Sequence, residues 1–168
     1  SGYGMYLSLS SNNTLTNITV SNNAGNSGYG IYFISSSNNN TLTNINSSRN
    51  DVTGITLESS SNNTLTNINS SGNSIHGIYI ISSSRNQIIN STIRDNKQFG
   101  LYLYQSSYNN VTGTRIENSS ASGFAGIYLY TKSATSNSSY NRIWNNIINN
   151  TAISGGRNWI TGTGSAGE

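Results

Sequence analysis

Apolar and polar positions along this chain follow a rule that returns about every 23 residues. A glycine is followed by aliphatic, tyrosine, aliphatic: Gly4-Met5-Tyr6-Leu7, Gly30-Ile31-Tyr32-Phe33, Gly77-Ile78-Tyr79-Ile80, Gly100-Leu101-Tyr102-Leu103 and Gly126-Ile127-Tyr128-Leu129. In Gly54-Ile55-Thr56-Leu57 a threonine stands in the tyrosine's place. Alternation of period two predicts a short strand with the aliphatic residues on one side and the tyrosine on the other. A Ser/Asn-rich stretch then leads to a second strand centred on Leu15, Leu42, Leu65, Ile88, Val111 or Ile143. Two residues later stand Asn17, Asn44, Asn67, Asn90, Gly113 and Asn145. Asn and Gly enter the left-handed backbone region at least cost, so this column predicts a one-residue corner. Its asparagines are expected at the inside of the corner, stacked as an amide ladder. A third strand follows, with inward pairs such as Ile18 and Val20, Ile68 and Ser70, Ser91 and Ile93, and Thr114 and Ile116. One large and one small side chain in each pair suit an interior of constant width.

Short strands recurring at this period define an all-β solenoid, a parallel β-helix of six to seven coils with three strands each. One coil buries too little apolar surface to stand alone, so neighbours must supply cover and hydrogen bonds. The solenoid is expected over residues 1–161 as part of a longer one, with 162–168 a flexible tail. Longer turns at Ala24–Gly28 and Ser119–Phe124 should protrude at one corner, and an insertion at Thr131–Ser139 at another. Asn158-Trp159-Ile160-Thr161 falls where a further Gly-aliphatic-Tyr-aliphatic strand is due, which would turn Trp159 inward. The register has a test built in: Ile78→Asp should abolish folding, whereas replacing Tyr79 should leave stability nearly unchanged. Solenoid ends expose strand edges, so caps outside this segment or contact with another copy are expected.

Composition narrows the function. The 168 residues contain no Cys or Pro and only 8% charged residues, with a formal net charge of +3. Without Cys there are no disulfides or thiolate metal sites. Eight Lys and Arg, spread along the chain, are too thin to track a nucleic-acid backbone. No apolar run approaches the length of a membrane span.

Chemistry-bearing side chains are scarce. The acids are Asp51, Glu58, Asp95, Glu117 and Glu168. Asp95 and Glu117 come from adjacent coils, but Arg94 aligns with Glu117 and Arg115 is close, which predicts surface ion pairing rather than a catalytic pair. His76 is the only histidine and is expected at a turn or on the surface. No catalytic residue, metal site or cofactor is expected. The feature most suggestive of binding is the outward column Tyr6, Tyr32, Tyr79, Tyr102 and Tyr128, flanked by Tyr104 and Tyr130. Such a row either favours the β surface by stacking or forms a platform for sugar rings or a protein partner. Acceptor sequons for N-glycosylation occur at Asn12, Asn39, Asn62, Asn69, Asn118 and Asn137, the first three at one repeating turn. Asn17 and Asn90 match the sequon too, but their inner-corner placement argues against a glycan there.

Segments such as Ser59-Ser60-Ser61-Asn62-Asn63-Thr64-Leu65-Thr66-Asn67-Ile68, followed by Gly77-Ile78-Tyr79-Ile80, resemble the right-handed parallel β-helix repeat family. The resemblance covers nearly the whole chain and implies the pectate-lyase-like solenoid fold, which serves polysaccharide lyases, hydrolases, epimerases, tailspikes and surface adhesins. The Asn/Ser/Thr-rich style is similar to that of archaeal or bacterial cell-surface proteins. Together these features predict a non-catalytic extracellular protein with a structural, adhesive or carbohydrate-contacting role at the cell surface. Its partner would be a polysaccharide or cell-wall glycan, with self-association through the ends or the tyrosine face. The alternatives are a fragment of a polysaccharide lyase or hydrolase with its active site elsewhere, and a subunit of a stacked extracellular filament.

Overall fold

The repeating units are realised as stacked coils. The computed structural model describes residues 2–118, 124–131, 138–149 and, as backbone, 157–163. Each of the first three coils contributes two strands: β1 (Met5–Ser8) and β2 (Thr14–Ser21), β3 (Ile31–Ile34) and β4 (Thr41–Ser48), β5 (Ile55–Glu58) and β6 (Thr64–Ser71). The next three contribute three each. These are β7 (Ile78–Ile81), β8 (Gln87–Ile89) and β9 (Thr92–Arg94); β10 (Leu101–Tyr104), β11 (Asn110–Thr112) and β12 (Arg115–Glu117); and β13 (Ala125–Tyr130), β14 (Arg142–Trp144) and β15 (Ile147–Asn149). A last strand, β16 (Arg157–Thr163), opens a further coil. All pairings are parallel, and they collect the Gly-aliphatic-Tyr-aliphatic strands into one seven-stranded sheet.

Every coil bends at one residue between its second and third segments. Asn17, Asn44, Asn67, Asn90, Gly113 and Asn145 all have φ between +49° and +61°, the one-residue corner. In β2, β4 and β6 the strand runs on around this bend, eight residues long, whereas in later coils it is interrupted there. The corner asparagines face outward and are exposed, not inward as expected. Nδ2 of Asn44 donates to Oδ1 of Asn17 at 3.0 Å, and Nδ2 of Asn67 to Oδ1 of Asn44 at 3.2 Å. At a convex bend the left-handed residue projects its side chain away from the axis, which is why these amides meet in solvent.

The interior is built of unbroken aliphatic columns. Ile31, Ile55, Ile78, Leu101 and Ile127 form one, Phe33, Leu57, Ile80 and Leu103 the next, and Leu42, Leu65, Ile88 and Val111 face them; all are fully or almost fully buried. Two buried asparagine ladders close its other corners. In the first, Asn40 donates Nδ2 to Oδ1 of Asn63 at 3.0 Å, Asn63 does the same to Asn86, and Asn86 to Asn109. In the second, Nδ2 of Asn50 donates to Asn73 and that of Asn73 to Asn96, both at 2.9 Å. Each amide oxygen also accepts the backbone N–H of the coil before it. A parallel column of Ser37, Ser60, Ser83 and Ser106 satisfies the backbone in the same way. Buried polar groups left unpaired are costly, so these ladders are what allows an Asn/Ser-rich chain to have an interior.

The glycine column has a packing cause. A Cβ on Gly54 would run into Oγ of Ser70 and lie 2.7 Å from the carbonyl oxygen of Gly77. Ser70 is the small member of its inward pair, and its hydroxyl donates to that same carbonyl at 2.8 Å. From β9 onward the pair is reversed: Ile93 sits opposite Ser70 in register, and Ser91 takes the small position. At β16 the register pairs Ile160 with Ile127 across a β-bulge, one residue later than expected. Ile160, not Trp159, therefore takes the inward aliphatic's place in the ladder, and the strand continues to Thr163. The turn at Ala24–Gly28 closes on itself through Gly28 N–H to Gly25 O at 2.8 Å. The longer turn and insertion expected at Ser119–Phe124 and Thr131–Ser139 lie largely outside the described residues.

Candidate functional site

Strand register fixes the outer face of the seven-stranded sheet. Tyr6, Tyr32, Thr56, Tyr79, Tyr102 and Tyr128 are successive Cα partners, and Glu58, Ile81, Tyr104 and Tyr130 form the column beside them. A third column stands at the residue before each motif glycine, where Tyr3, Tyr29, His76 and Phe99 add rings to which the sequence reading gave no binding role; Phe124 lies one residue before the equivalent position, Ala125. Tyr29 stacks on Tyr32 with ring centroids 4.9 Å apart, His76 on Phe99 at 5.4 Å, and Phe99 on Tyr128 at 4.4 Å. The recurrence of aromatics before the glycine was the available signal.

The band has two lobes. Tyr3, Tyr6, Tyr29 and Tyr32 form one; His76, Tyr79, Phe99, Tyr102, Tyr104, Phe124, Tyr128 and Tyr130 form the other. Thr53 and Thr56 lie between them, and neighbouring rings cover Thr56 to 2% exposure, with its Oγ1 unpartnered. Tyr79 and Tyr102 lie nearly parallel at 4.8 Å, as do Tyr104 and Tyr130 at 5.3 Å. Rings one coil apart therefore use their faces on each other, which directs edges and hydroxyls outward. Tyr6, at 49% exposure, is the most open ring of the column.

Burial is the first cause of the raised phenol pKa at Tyr29, Tyr32, Tyr79 and Tyr102. Burial, then the nearby Tyr104, Glu58 and Tyr29, pushes Tyr79 up to about 12. Burial, then the hydrogen bond from its hydroxyl to Oε2 of Glu58, holds Tyr32 well above the ordinary phenol value. Tyr102 is raised by burial first and by its tyrosine neighbours second. His76 is buried, 7% exposed, and not at the surface as expected; burial lowers its pKa to about 4. It is one ring of the stack, and its Nδ1 accepts the N–H of Phe99 at 3.3 Å.

The acids do not converge. Arg94 pairs with Asp95 at 2.8 Å, both exposed, and exposed Arg115 with half-buried Glu117; both pairs lie within one coil rather than between coils. Adjacent residues of a strand-end and i,i+2 neighbours on one face reach each other at less entropic cost than side chains on separate coils. Asp51 accepts the N–H of Gly25. Among the described residues, no three His, Cys, Asp or Glu side chains come together to hold a metal. Among the described residues no helix is long and apolar enough to cross a membrane.

Asn12, Asn39 and Asn62 are exposed, each with φ between +56° and +62°. Asn118 is exposed and donates to Asp95; Asn69 is half-buried, with its Oδ1 unpartnered; Asn137 lies outside the described residues. Asn17 and Asn90, expected to be shielded, are exposed as well.

The model of the right-handed β-helix region matches residues 1–143, and the chain belongs to that family. No curated protein matches the sequence. Among solved structures, the A-module of the mannuronan C-5 epimerase AlgE4 of Azotobacter vinelandii superimposes with TM-score 0.74 at 18% identity, over 96% of this chain and 48% of that one. A point mutant of the periplasmic alginate epimerase AlgG gives 0.71 at 14% identity, over 96% and 42%. Pectate lyase Pel9A gives 0.50 at 21%, over 79% and 38%. The chain thus spans about half the length or less of each of these structures.

Proposed function

We propose that this segment is a non-catalytic, extracellular β-helix module that contacts carbohydrate through the aromatic outer face. The carrying observation is the makeup of that face: two lobes of packed aromatic rings along one sheet, parted at Thr53 and Thr56. Ring edges and phenol hydroxyls at the coil spacing of about 4.8 Å present C–H-compatible and hydrogen-bonding surface in alternation, which matches a sugar chain. Glu58 is the only charged residue in β1, β3, β5, β7, β10 and β13, so the face favours neutral sugars over uronates. Neither the scattered acids nor buried His76 offers an acid–base pair.

Chemical-shift mapping with neutral oligosaccharides on the wild-type protein and on a Tyr79→Ser, Tyr102→Ser variant tests this. Shifts confined to the tyrosine band and lost in the variant are expected. Undiminished binding by the variant would remove the face from the account. The enzyme reading keeps one support: the similar structures are named epimerases and a lyase, and this chain spans only part of each, so an active site in other coils of a parent protein is the alternative.

A further inference from the structure

At a different corner of the solenoid, the residues that begin the second strand change character halfway along the stack. Backbone hydrogen bonds align Asn12, Asn39, Asn62, Arg85, Tyr108 and Tyr140 in one column. All six have φ between +55° and +62°. Asn suits that conformation; Arg and Tyr do not. The last three coils therefore give up local preference at the same place, which is a mark of a surface retained for another reason.

The new side chains form a group. Tyr108 and Tyr140 stack at 5.0 Å with planes 12° apart, and the Arg85 guanidinium lies 5.5 Å from the Tyr108 centroid. One strand position on, Gln87, Asn110 and Arg142 are register partners. Arg142 lies 5.4 Å from the Trp144 ring, whose Nε1 donates to Oδ1 of Asn110 at 3.0 Å. Arg85, Gln87, Tyr108, Asn110, Tyr140 and Arg142 line an open groove of about 440 Å³, with Trp144 beside it. Tyr140 is 76% exposed, and neither Arg85 nor Arg142 is in an ion pair with a described residue.

We infer that this groove binds an acidic glycan, a carboxylated or sulfated sugar chain running along the stack. Two arginines two coils apart, about 10 Å, are held over aromatic rings and are free to receive anionic groups. The open face of Tyr140 and the exposed Trp144 offer sugar-stacking surface. Gln87 and Asn110 supply amides for hydroxyls. Two cations over three coils are too few to follow a nucleic-acid backbone. The site is separate from the tyrosine face and does not depend on it.

The test is calorimetric titration of the protein with oligogalacturonate, a heparin-derived oligosaccharide, a neutral cello-oligosaccharide and oligothymidylate. Wild type is compared with the Tyr79→Ser, Tyr102→Ser variant and with two variants of the groove, Arg85→Asn with Arg142→Gln and Tyr108→Asn with Tyr140→Asn. The groove substitutions restore residue types that earlier coils carry or that the same column tolerates. Tm is therefore expected to hold or rise in the tyrosine pair, which separates lost binding from lost fold. An acidic oligosaccharide should bind, more weakly at higher salt, with affinity reduced about tenfold or more in both groove variants. Binding that survives in the arginine variant overturns the inference. So does binding of oligothymidylate alone, no binding by any probe, or equal loss in the Tyr79→Ser, Tyr102→Ser variant, which would place the ligand on the other face.

Discussion

Burial moves the titration of His76 into the acid range. Its imidazole is ordinary near 6.5 and is lowered to about 4 in the fold by burial among rings. Above pH 6.5 it is neutral in both states and contributes no pH dependence. As pH falls from 6.5 to 4, the unfolded chain takes up a proton that the folded one refuses, so stability declines through that window and levels off below it. At 1.36 kcal/mol per unit the loss is about 3 kcal/mol. His76→Phe, which restores the type found at Phe99, should flatten the profile between pH 6.5 and 4 in urea denaturation; an unchanged slope would assign it to carboxylates. Gly54→Ala tests the close approach to Ser70 and should cost ~1–3 kcal/mol in the same assay. Ile78→Asp places a charge in a fully buried column and should prevent folding, as the alternation alone implied. For Tyr79 the structure revises the expectation. The ring is half-buried and stacked on Tyr102, so Tyr79→Ala should cost about 1–2 kcal/mol rather than nothing.

Strands and corners were legible because their residues have one main use. Glycine before an aliphatic pair marked each strand of the first sheet, and asparagine at a fixed offset marked the left-handed bend. What could not be read was which asparagines face in. In Asn39-Asn40 and Asn62-Asn63 the two neighbours are the same residue type, one exposed at a left-handed turn and the next buried in a ladder. Only the stacking of coils distinguishes them. The ladder position carries the larger energy. Asn63→Ala leaves the N–H and Nδ2 of Asn40 without their acceptor and should cost about 3 kcal/mol or more. Asn44→Ala at the outer corner removes exposed hydrogen bonds and strains one φ, for about 1–2 kcal/mol. Asn44→Gly should be milder still, since Gly113 serves that corner naturally. Equal costs for Asn63→Ala and Asn44→Ala in chemical denaturation would contradict the inside–outside assignment.

At the scale of the whole molecule, a uniform interior carries two unlike outer surfaces. One is a half-buried aromatic band with a single carboxylate among its strands; the other is an open corner with two arginines over exposed rings, neither paired with an acid among the described residues. The band was visible in the sequence because its tyrosines recur in the strand motif. The corner was not, because Arg85, Tyr108 and Tyr140 depart from the asparagine of the earlier coils, and only the backbone ladder puts them in one column. The measurement that bears most directly on the account is a glycan array probed with three proteins: wild type, Tyr79→Ser with Tyr102→Ser, and Arg85→Asn with Arg142→Gln. Neutral glycans should be captured by the wild type and lost with the tyrosines alone, and acidic glycans should be lost with the arginines alone. An array on which the folded wild-type protein captures no glycan would contradict the carbohydrate-contacting role.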